Sequence, residues 1–259
     1  MKVTIIGAGN MGGAIARGLA KGTIVGAADI TVSDPSEKIL QQLQQEHPQL
    51  TVMTDNCAAV SEADFVIVAV KPWLMRPVLA DLPLQSQQVL VSVAAGISFE
   101  QLVEYTAAPE LTMFRLIPNT AMSQLESMTL IASRNATPEH ERLMVEIFNE
   151  MGLAMLVPES QMAATTALTS CGIAYVLKYI QAAMQAGIEL GVYPKEAQRM
   201  VAQSVKGAAS LILNNDTHPS VEIDKVTTPG GITIRGINEL EHEGFSSAVI
   251  KAMKVSCVK

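Results

Sequence analysis

Val3-Thr4-Ile5-Ile6-Gly7-Ala8-Gly9-Asn10-Met11-Gly12-Gly13 opens the chain and decides its fold. A short apolar run of strand character ends at Gly7, and Ala14-Ile15-Ala16-Arg17-Gly18-Leu19 then reads as a helix. A Gly-x-Gly-x-x-Gly set between strand and helix is the fingerprint of a dinucleotide grip. Gly7 permits the tight turn, Gly9 lets a pyrophosphate approach the backbone, and Gly12 lets the helix pack on the strand. The phosphates then lie over free N–H groups at the positive end of the helix, with Asn10 and Met11 in the same turn. A merely structural turn is the alternative, since glycines cluster in many loops. The flanking strand and helix, and an acidic residue further on, weigh against it.

That acidic residue is Asp34. It ends the apolar run Ile30-Thr31-Val32-Ser33, about twenty residues beyond the last motif glycine, where a Rossmann unit meets the adenosine ribose. A carboxylate there accepts hydrogen bonds from the ribose hydroxyls and repels a 2′-phosphate. Lys38 is the only nearby cation and no arginine is close, so NADH is favoured over NADPH, with Ser33 beside the same ribose site. The alternative is that Asp34 caps the helix that starts after Pro35.

Composition bounds the rest. The 259 residues can bury a real core and form two domains. Acidic residues number 25 against 18 Lys and Arg, with no basic run, which makes nucleic acid and anionic membrane poor partners. No charged n-region or cleavable apolar stretch precedes Val3, so a cytoplasmic location is expected. Apolar runs such as Phe65 to Val70 are too short to cross a bilayer. Cys57, Cys171 and Cys257 lie far apart with no C-x-x-C pair, so neither disulfides nor a metal site are expected. His47, His140, His218 and His242 read as solvent-exposed residues without metal-ligand spacing.

Residues 1–158 alternate short β-branched runs with amphipathic helical stretches, the pattern of a doubly wound parallel α/β sheet. Strands are expected at Val3–Ile6, Ile30–Val32, Thr51–Met53, Phe65–Val68, Val89–Val93, Thr112–Leu116, Thr129–Ala132 and Ala154–Val157. Helices such as Glu37–Glu46 and Glu139–Met151 lie between them. Residues 159–259 show long helical runs and no strand, at about 168–190, 194–214, 232–242 and 246–255. Ala174, Leu177, Ile180, Ala183, Met184 and Ile188 give the first of these a broad apolar face, which demands burial. An obligate homo-oligomer, a dimer built through these helices, is the expected solution.

Four further stretches are candidates for chemistry. Asp55-Asn56 follows the third strand, where a loop passes the adenosine. Ala69-Val70-Lys71-Pro72 follows the fourth strand, whose carboxyl end borders the crevice; the alternative for Lys71 is a helix-start cation without a partner. Pro118-Asn119-Thr120 lines the same crevice or forms an ordinary turn. In the second domain, Thr228-Pro229-Gly230-Gly231-Ile232-Thr233 breaks the helical pattern. The next helix begins there with unpaired N–H groups, which together with the Thr228 and Thr233 hydroxyls suit a substrate carboxylate. The alternative is an inter-helix turn capped by Thr233.

Taken together, these pieces resemble the pyrroline-5-carboxylate reductases. They fall in family order along nearly the whole chain, with Ser92-Val93-Ala94-Ala95-Gly96 and Arg115-Leu116-Ile117-Pro118-Asn119-Thr120 among them. Thr228-Pro229-Gly230-Gly231-Ile232-Thr233 is similar to the family signature Ser-Pro-Gly-Gly, one residue, Thr. The resemblance implies hydride transfer from NADH or NADPH to the C=N carbon of a cyclic imine, giving L-proline. It implies that the Gly230–Gly231 backbone holds the carboxylate and that Thr233, as the catalytic contact, hydrogen-bonds the ring nitrogen or its proton. Asn56 then touches the adenosine side, and Lys71 the nicotinamide side. An interlocked helical homodimer, or a larger homo-oligomer built from it, is implied as well. One segment departs: the family has Ser-Gly-Ser-Gly-Pro-Ala-Tyr where this chain reads Thr169-Ser170-Cys171-Gly172-Ile173-Ala174-Tyr175. Loss of the proline and a glycine alters the backbone beside the substrate pocket, so the ring size of the imine stays open. Cys171 is either a small buried thiol or a reactive one near a helix start.

Other readings compete. A reductase of another cyclic imine would use the same parts. A β-hydroxyacid dehydrogenase would place a catalytic lysine on the long helix with an asparagine one turn later; Lys178 stands there, but Ala182 follows. A non-catalytic dinucleotide-binding protein would have no need of the Pro-Gly-Gly segment.

Overall fold

The computed structural model describes residues 1–257; residues 258 and 259, the end of the second domain read from the sequence, lie outside the described residues. The chain divides into two compact units, one running to Ser170 and the other beginning at Cys171. The last strand ends earlier, at Leu156.

The first unit is one sheet of eight strands: β1 (Val3–Ile6), β2 (Ile30–Ser33), β3 (Thr51–Met53), β4 (Phe65–Val68), β5 (Val89–Ser92), β6 (Thr112–Ile117), β7 (Ser127–Arg134) and β8 (Gly152–Leu156), in spatial order 3-2-1-4-5-6-7-8. Its helices are α1 (Asn10–Lys21), α2 (Glu37–Glu46), α3 (Asn56–Val60), α4 (Met75–Asp81), α5 (Phe99–Thr106), α6 (Pro138–Asn149) and α7 (Met162–Thr166). The strand order reverses between β1 and β4, and at such a switch point the carboxyl ends of the strands part into a crevice.

Alternation along the strands builds the two faces. Val3 and Ile5 join Ile30, Val32, Ile67 and Val91 beneath Ile15 and Leu19 of α1. Ile6, Val66, Val68 and Leu90 join Met75 and Leu79 of α4 and Leu102 of α5 on the other side. Each such fully buried aliphatic side chain contributes about 1.5–3 kcal/mol relative to exposure. Helix starts follow the expected chemistry. Ser98 and Gln101 form a reciprocal capping box on α5, and the Thr137 hydroxyl accepts the His140 N–H ahead of Pro138.

Two strands depart from the all-parallel expectation: β7 runs antiparallel to β6, and β8, parallel to β7, shares its reversed direction. Residues 118–126, which join β6 to β7, are fewer than the dozen or so that a parallel crossover needs. They form instead a 3₁₀ turn over Thr120–Gln124.

The second unit is helical throughout: α8 (Gly172–Glu189), α9 (Pro194–Asn215), α10 (Pro219–Val226), α11 (Ile232–His242) and α12 (Phe245–Ser256). The helix expected over 168–190 begins instead as a π turn, Ala167–Cys171, that runs into α8. Within the chain, Gly172 is the one buried residue of α8, while Leu177 is 58% exposed and Ile250 of α12 58%. Apolar faces of this size on an isolated chain belong to an interface.

Candidate functional site

In the first unit the glycines build a cradle at the switch point. Gly7 has φ +93, and a Cβ there would stand 2.9 Å from the Ala69 carbonyl oxygen. Its N–H donates to the Ser33 carbonyl at 2.7 Å, so the loop is stitched to the end of β2. A Cβ on Gly12 would overlap the Gly7 carbonyl, which is the close helix–strand approach. Gly9 has no atom within 4 Å of such a Cβ and faces open space. No side chain caps α1 and no acidic residue occupies its first turn; the backbone ladder begins with Gly13 N–H to Gly9 O at 2.8 Å. The N–H groups at Asn10, Met11 and Gly12 therefore face outward with the helix dipole behind them, as a pyrophosphate requires. The residues present fit a dinucleotide.

Asp34 sits where the sequence places it, but it does not cap α2. Its Oδ2 accepts the Ala8 N–H at 2.8 Å and its Oδ1 the Ser36 N–H at 2.9 Å. Ser36 is the residue ahead of α2, and no side-chain cap is present. The buried Ser33 hydroxyl donates to Asn56 Oδ1 at 2.7 Å, joining the ends of β2 and β3. Asp55 caps α3 by accepting the Cys57 and Ala58 N–H groups. A cavity of about 560 Å³ opens here, lined by Thr54, Asn56, Leu74, Pro77 and Val78 among others. The Ala69 N–H donates to Ile6 O at 2.8 Å, which holds Ala69-Val70-Lys71-Pro72 against the glycine loop. Lys71 is exposed at the start of a 3₁₀ turn, with no ion-pair partner among the described residues. Ser33, Asp34, Asn56 and Ala69 are thus brought together, and Lys71 and Pro72 stand at the rim.

Asn119 is buried, and its Oδ1 accepts the Ala121 N–H at 3.0 Å. Arg115 on β6 makes a contact that the sequence did not reveal. It is buried beside the Phe99 ring and paired with Glu159, whose Oε1 also accepts the Phe99 N–H at 2.9 Å. The pair spans 44 residues, so no local signal marks it.

In the second unit, Gly230 has φ +70 and Gly231 is the residue ahead of α11, its N–H donating to Thr228 O at 2.9 Å. No side chain caps α11, and its first turn holds no acidic residue. Thr233 lies inside the helix, so the simple capped turn is excluded, and the Thr228 and Thr233 side chains are exposed. This is an uncapped helix start whose Gly231 N–H is already committed to Thr228. Lys178 donates to Gln181 at 2.9 Å on an exposed face, as an ordinary surface lysine does. Cys57, Cys171 and Cys257 are free, and Cys171 is half-buried. His47 and His140 are half-buried rather than exposed; His218 and His242 are exposed. Among the described residues no group of His, Cys, Asp and Glu could hold a metal ion, and no helix is long and apolar enough to cross a membrane.

The chain has clear relatives. A family model described as pyrroline-5-carboxylate reductase dimerisation matches residues 159–259, and one described as NADP oxidoreductase, coenzyme F420-dependent, matches residues 2–96. The chain is 38% identical over 266 residues to the pyrroline-5-carboxylate reductase of Methanosarcina acetivorans, covering 98% of this chain and 96% of that one. It is 36% identical over 271 residues to pyrroline-5-carboxylate reductase 1 of Dictyostelium discoideum, spanning 99% of this chain and about half (49%) of that protein. The crystal structure of Plasmodium falciparum pyrroline carboxylate reductase with NADP bound superposes with a TM-score of 0.88 at 28% identity, covering 99% of this chain and 95% of the other.

Proposed function

The chain belongs to the pyrroline-5-carboxylate reductase family, and from that premise we propose that it reduces 1-pyrroline-5-carboxylate to L-proline with NADH as the preferred donor. It is an NAD(P)H-dependent oxidoreductase acting on a CH–NH group. The observation that carries the proposal is the presence in one chain of two uncapped helix starts of different kind. One, at Gly9, opens a dinucleotide cradle; the other, at Gly231, is flanked by hydroxyls.

The bound dinucleotide supplies a hydride, which goes to the C=N carbon while the nitrogen carries a proton taken from water. The chain's own residues position the partners. Gly7, Gly9, Asn10, Met11 and Gly12 hold the pyrophosphate. Asp34 and Asn56 hold the adenosine, with the buried Ser33 orienting Asn56 through its hydroxyl rather than touching the ribose, and Ala69, Lys71 and Pro72 border the cleft. The Gly230 and Gly231 backbone, with Thr228, binds the substrate carboxylate. Thr233 hydrogen-bonds the ring nitrogen or its proton. Asp34 favours NADH because its charge opposes a 2′-phosphate.

The exposed apolar faces of α8 and α12 pair with a second copy of the chain, giving a homodimer that can assemble further. Three free cysteines accord with a reducing, cytoplasmic setting. The test is incubation with racemic 1-pyrroline-5-carboxylate and NADH deuterated at the nicotinamide C4 position. Deuterium at C5 of L-proline supports the proposal, and an absence of proline overturns it.

A further inference from the structure

The segment that departs from the family pattern is bound to the loop after β6 by two hydrogen bonds. Asn119 Nδ2 donates to the Thr169 carbonyl at 3.2 Å, and the Ser170 hydroxyl donates to the Pro118 carbonyl at 3.2 Å. Thr169 and Ser170 lie in the π turn Ala167–Cys171. A π turn carries an extra residue in the helical ladder and is held only where its surroundings satisfy it. Asn119 is placed to do so. It is 8% exposed, its N–H donates to the buried Ser127 hydroxyl at 3.2 Å, and its Oδ1 is engaged by Ala121. All its polar groups are committed, so it has one orientation. Ser170 stands where the family pattern has glycine, which could make no such bond.

The loop Pro118–Thr120 leaves the carboxyl end of β6. With Asp34 on the β2 side of the switch point, the other mononucleotide half of the crevice lies along β4, β5 and β6. We propose that Asn119 and Ser170 are positioning residues for hydride transfer: by clamping the π turn to Pro118 they set the nicotinamide-side loop. The Ser170 hydroxyl bond supplies local rigidity in a segment that lacks the family's proline. This rests on the reductase reading above.

The test compares Asn119→Ala, Ser170→Ala and Ser170→Thr with the wild type. Steady-state rates are measured with 1-pyrroline-5-carboxylate, and NADH binding is followed by quenching of Trp73, the chain's one tryptophan. Misplacing a loop that orients a reactant lowers kcat about tenfold to a hundredfold, which is expected for Asn119→Ala. Loss of one neutral hydrogen bond corresponds to about a two- to tenfold fall, expected for Ser170→Ala. In both, the NADH dissociation constant stays within about twofold of the wild type. Ser170→Thr, which keeps the hydroxyl, restores kcat. If Asn119→Ala does not fold, the two Ser170 variants decide alone. Unchanged kcat in Ser170→Ala, or a fall matched by lost NADH affinity, overturns the proposal and leaves the reductase reading standing. Wild-type protein that binds NADH but turns over no imine overturns both.

Discussion

The carboxylate of Asp34 accepts the Ala8 N–H at 2.8 Å, so the acidic residue ending the second strand also braces the glycine loop. Its two roles separate by substitution. Asp34→Asn keeps an acceptor for Ala8 and removes the charge; the ratio of kcat/KM for NADPH over NADH is expected to rise about tenfold, the size of one charge-assisted hydrogen bond. Asp34→Ala loses the brace too and weakens both cofactors. Equal NADPH and NADH ratios in wild type and Asp34→Asn would remove Asp34 from cofactor choice.

Two glycines of one motif should fail differently. Gly9→Ala meets no atom and still folds, with a melting temperature lowered by a few degrees because Ala is a poorer N-cap than Gly. Its cofactor affinity falls at least about tenfold, because the new methyl occupies the phosphate's approach. Gly12→Ala drives a Cβ into the Gly7 carbonyl and destabilises the fold itself. Calorimetry and cofactor titration of the pair separate the two effects. Full affinity in Gly9→Ala would count against phosphate binding there.

Thr233→Ala and Thr228→Ala should act on the imine and leave the dinucleotide alone. Removing one substrate-aligned hydroxyl lowers kcat/KM for the imine about tenfold to a hundredfold, with the NADH dissociation constant unchanged. An equal loss of NADH affinity would place these residues elsewhere.

Glu150 gives a pH signature. Burial pushes its carboxyl upward, but hydrogen bonds from the Thr23 hydroxyl and N–H, and from the Ile24 N–H, outweigh this and leave it below the ordinary value of 4.5. A depressed folded pKa means the contribution is full above the unfolded value and is lost as pH falls through the folded one. Glu150→Gln is therefore less stable than the wild type at pH 7 by about 1–2 kcal/mol, with the gap closing in acid. Urea midpoints at both pH values measure it; a gap that is constant with pH would contradict the assignment.

How far these features are legible in the sequence depends on how local their causes are. β1 and α2 stand at the residues their own patterns dictate, because a buried strand's short apolar run and a helix's apolar stripe are local. The reversal of β7 is not: its cause is a connection too short for a crossover, visible only once β6 and β7 are known to pair. The π turn at Ala167–Cys171 has no local signal; the groups that hold it, the Asn119 amide as donor and the Pro118 carbonyl as acceptor, come from about fifty residues away. Asp34 and the glycines were readable because phosphate and ribose chemistry restrict residue type and spacing. The contact between Ser33 and Asn56 and the pairing of Arg115 with Glu159 arise from tertiary proximity alone. So does the exclusion of Thr233 as a cap, which depends on where α11 begins.

The most direct test of the central claim is the oxidation of NADH and NADPH, followed side by side with racemic 1-pyrroline-5-carboxylate and with proline formation measured in the same samples. Stoichiometric proline with a higher kcat/KM for NADH is the predicted result. Dinucleotide binding without proline from either donor would contradict it.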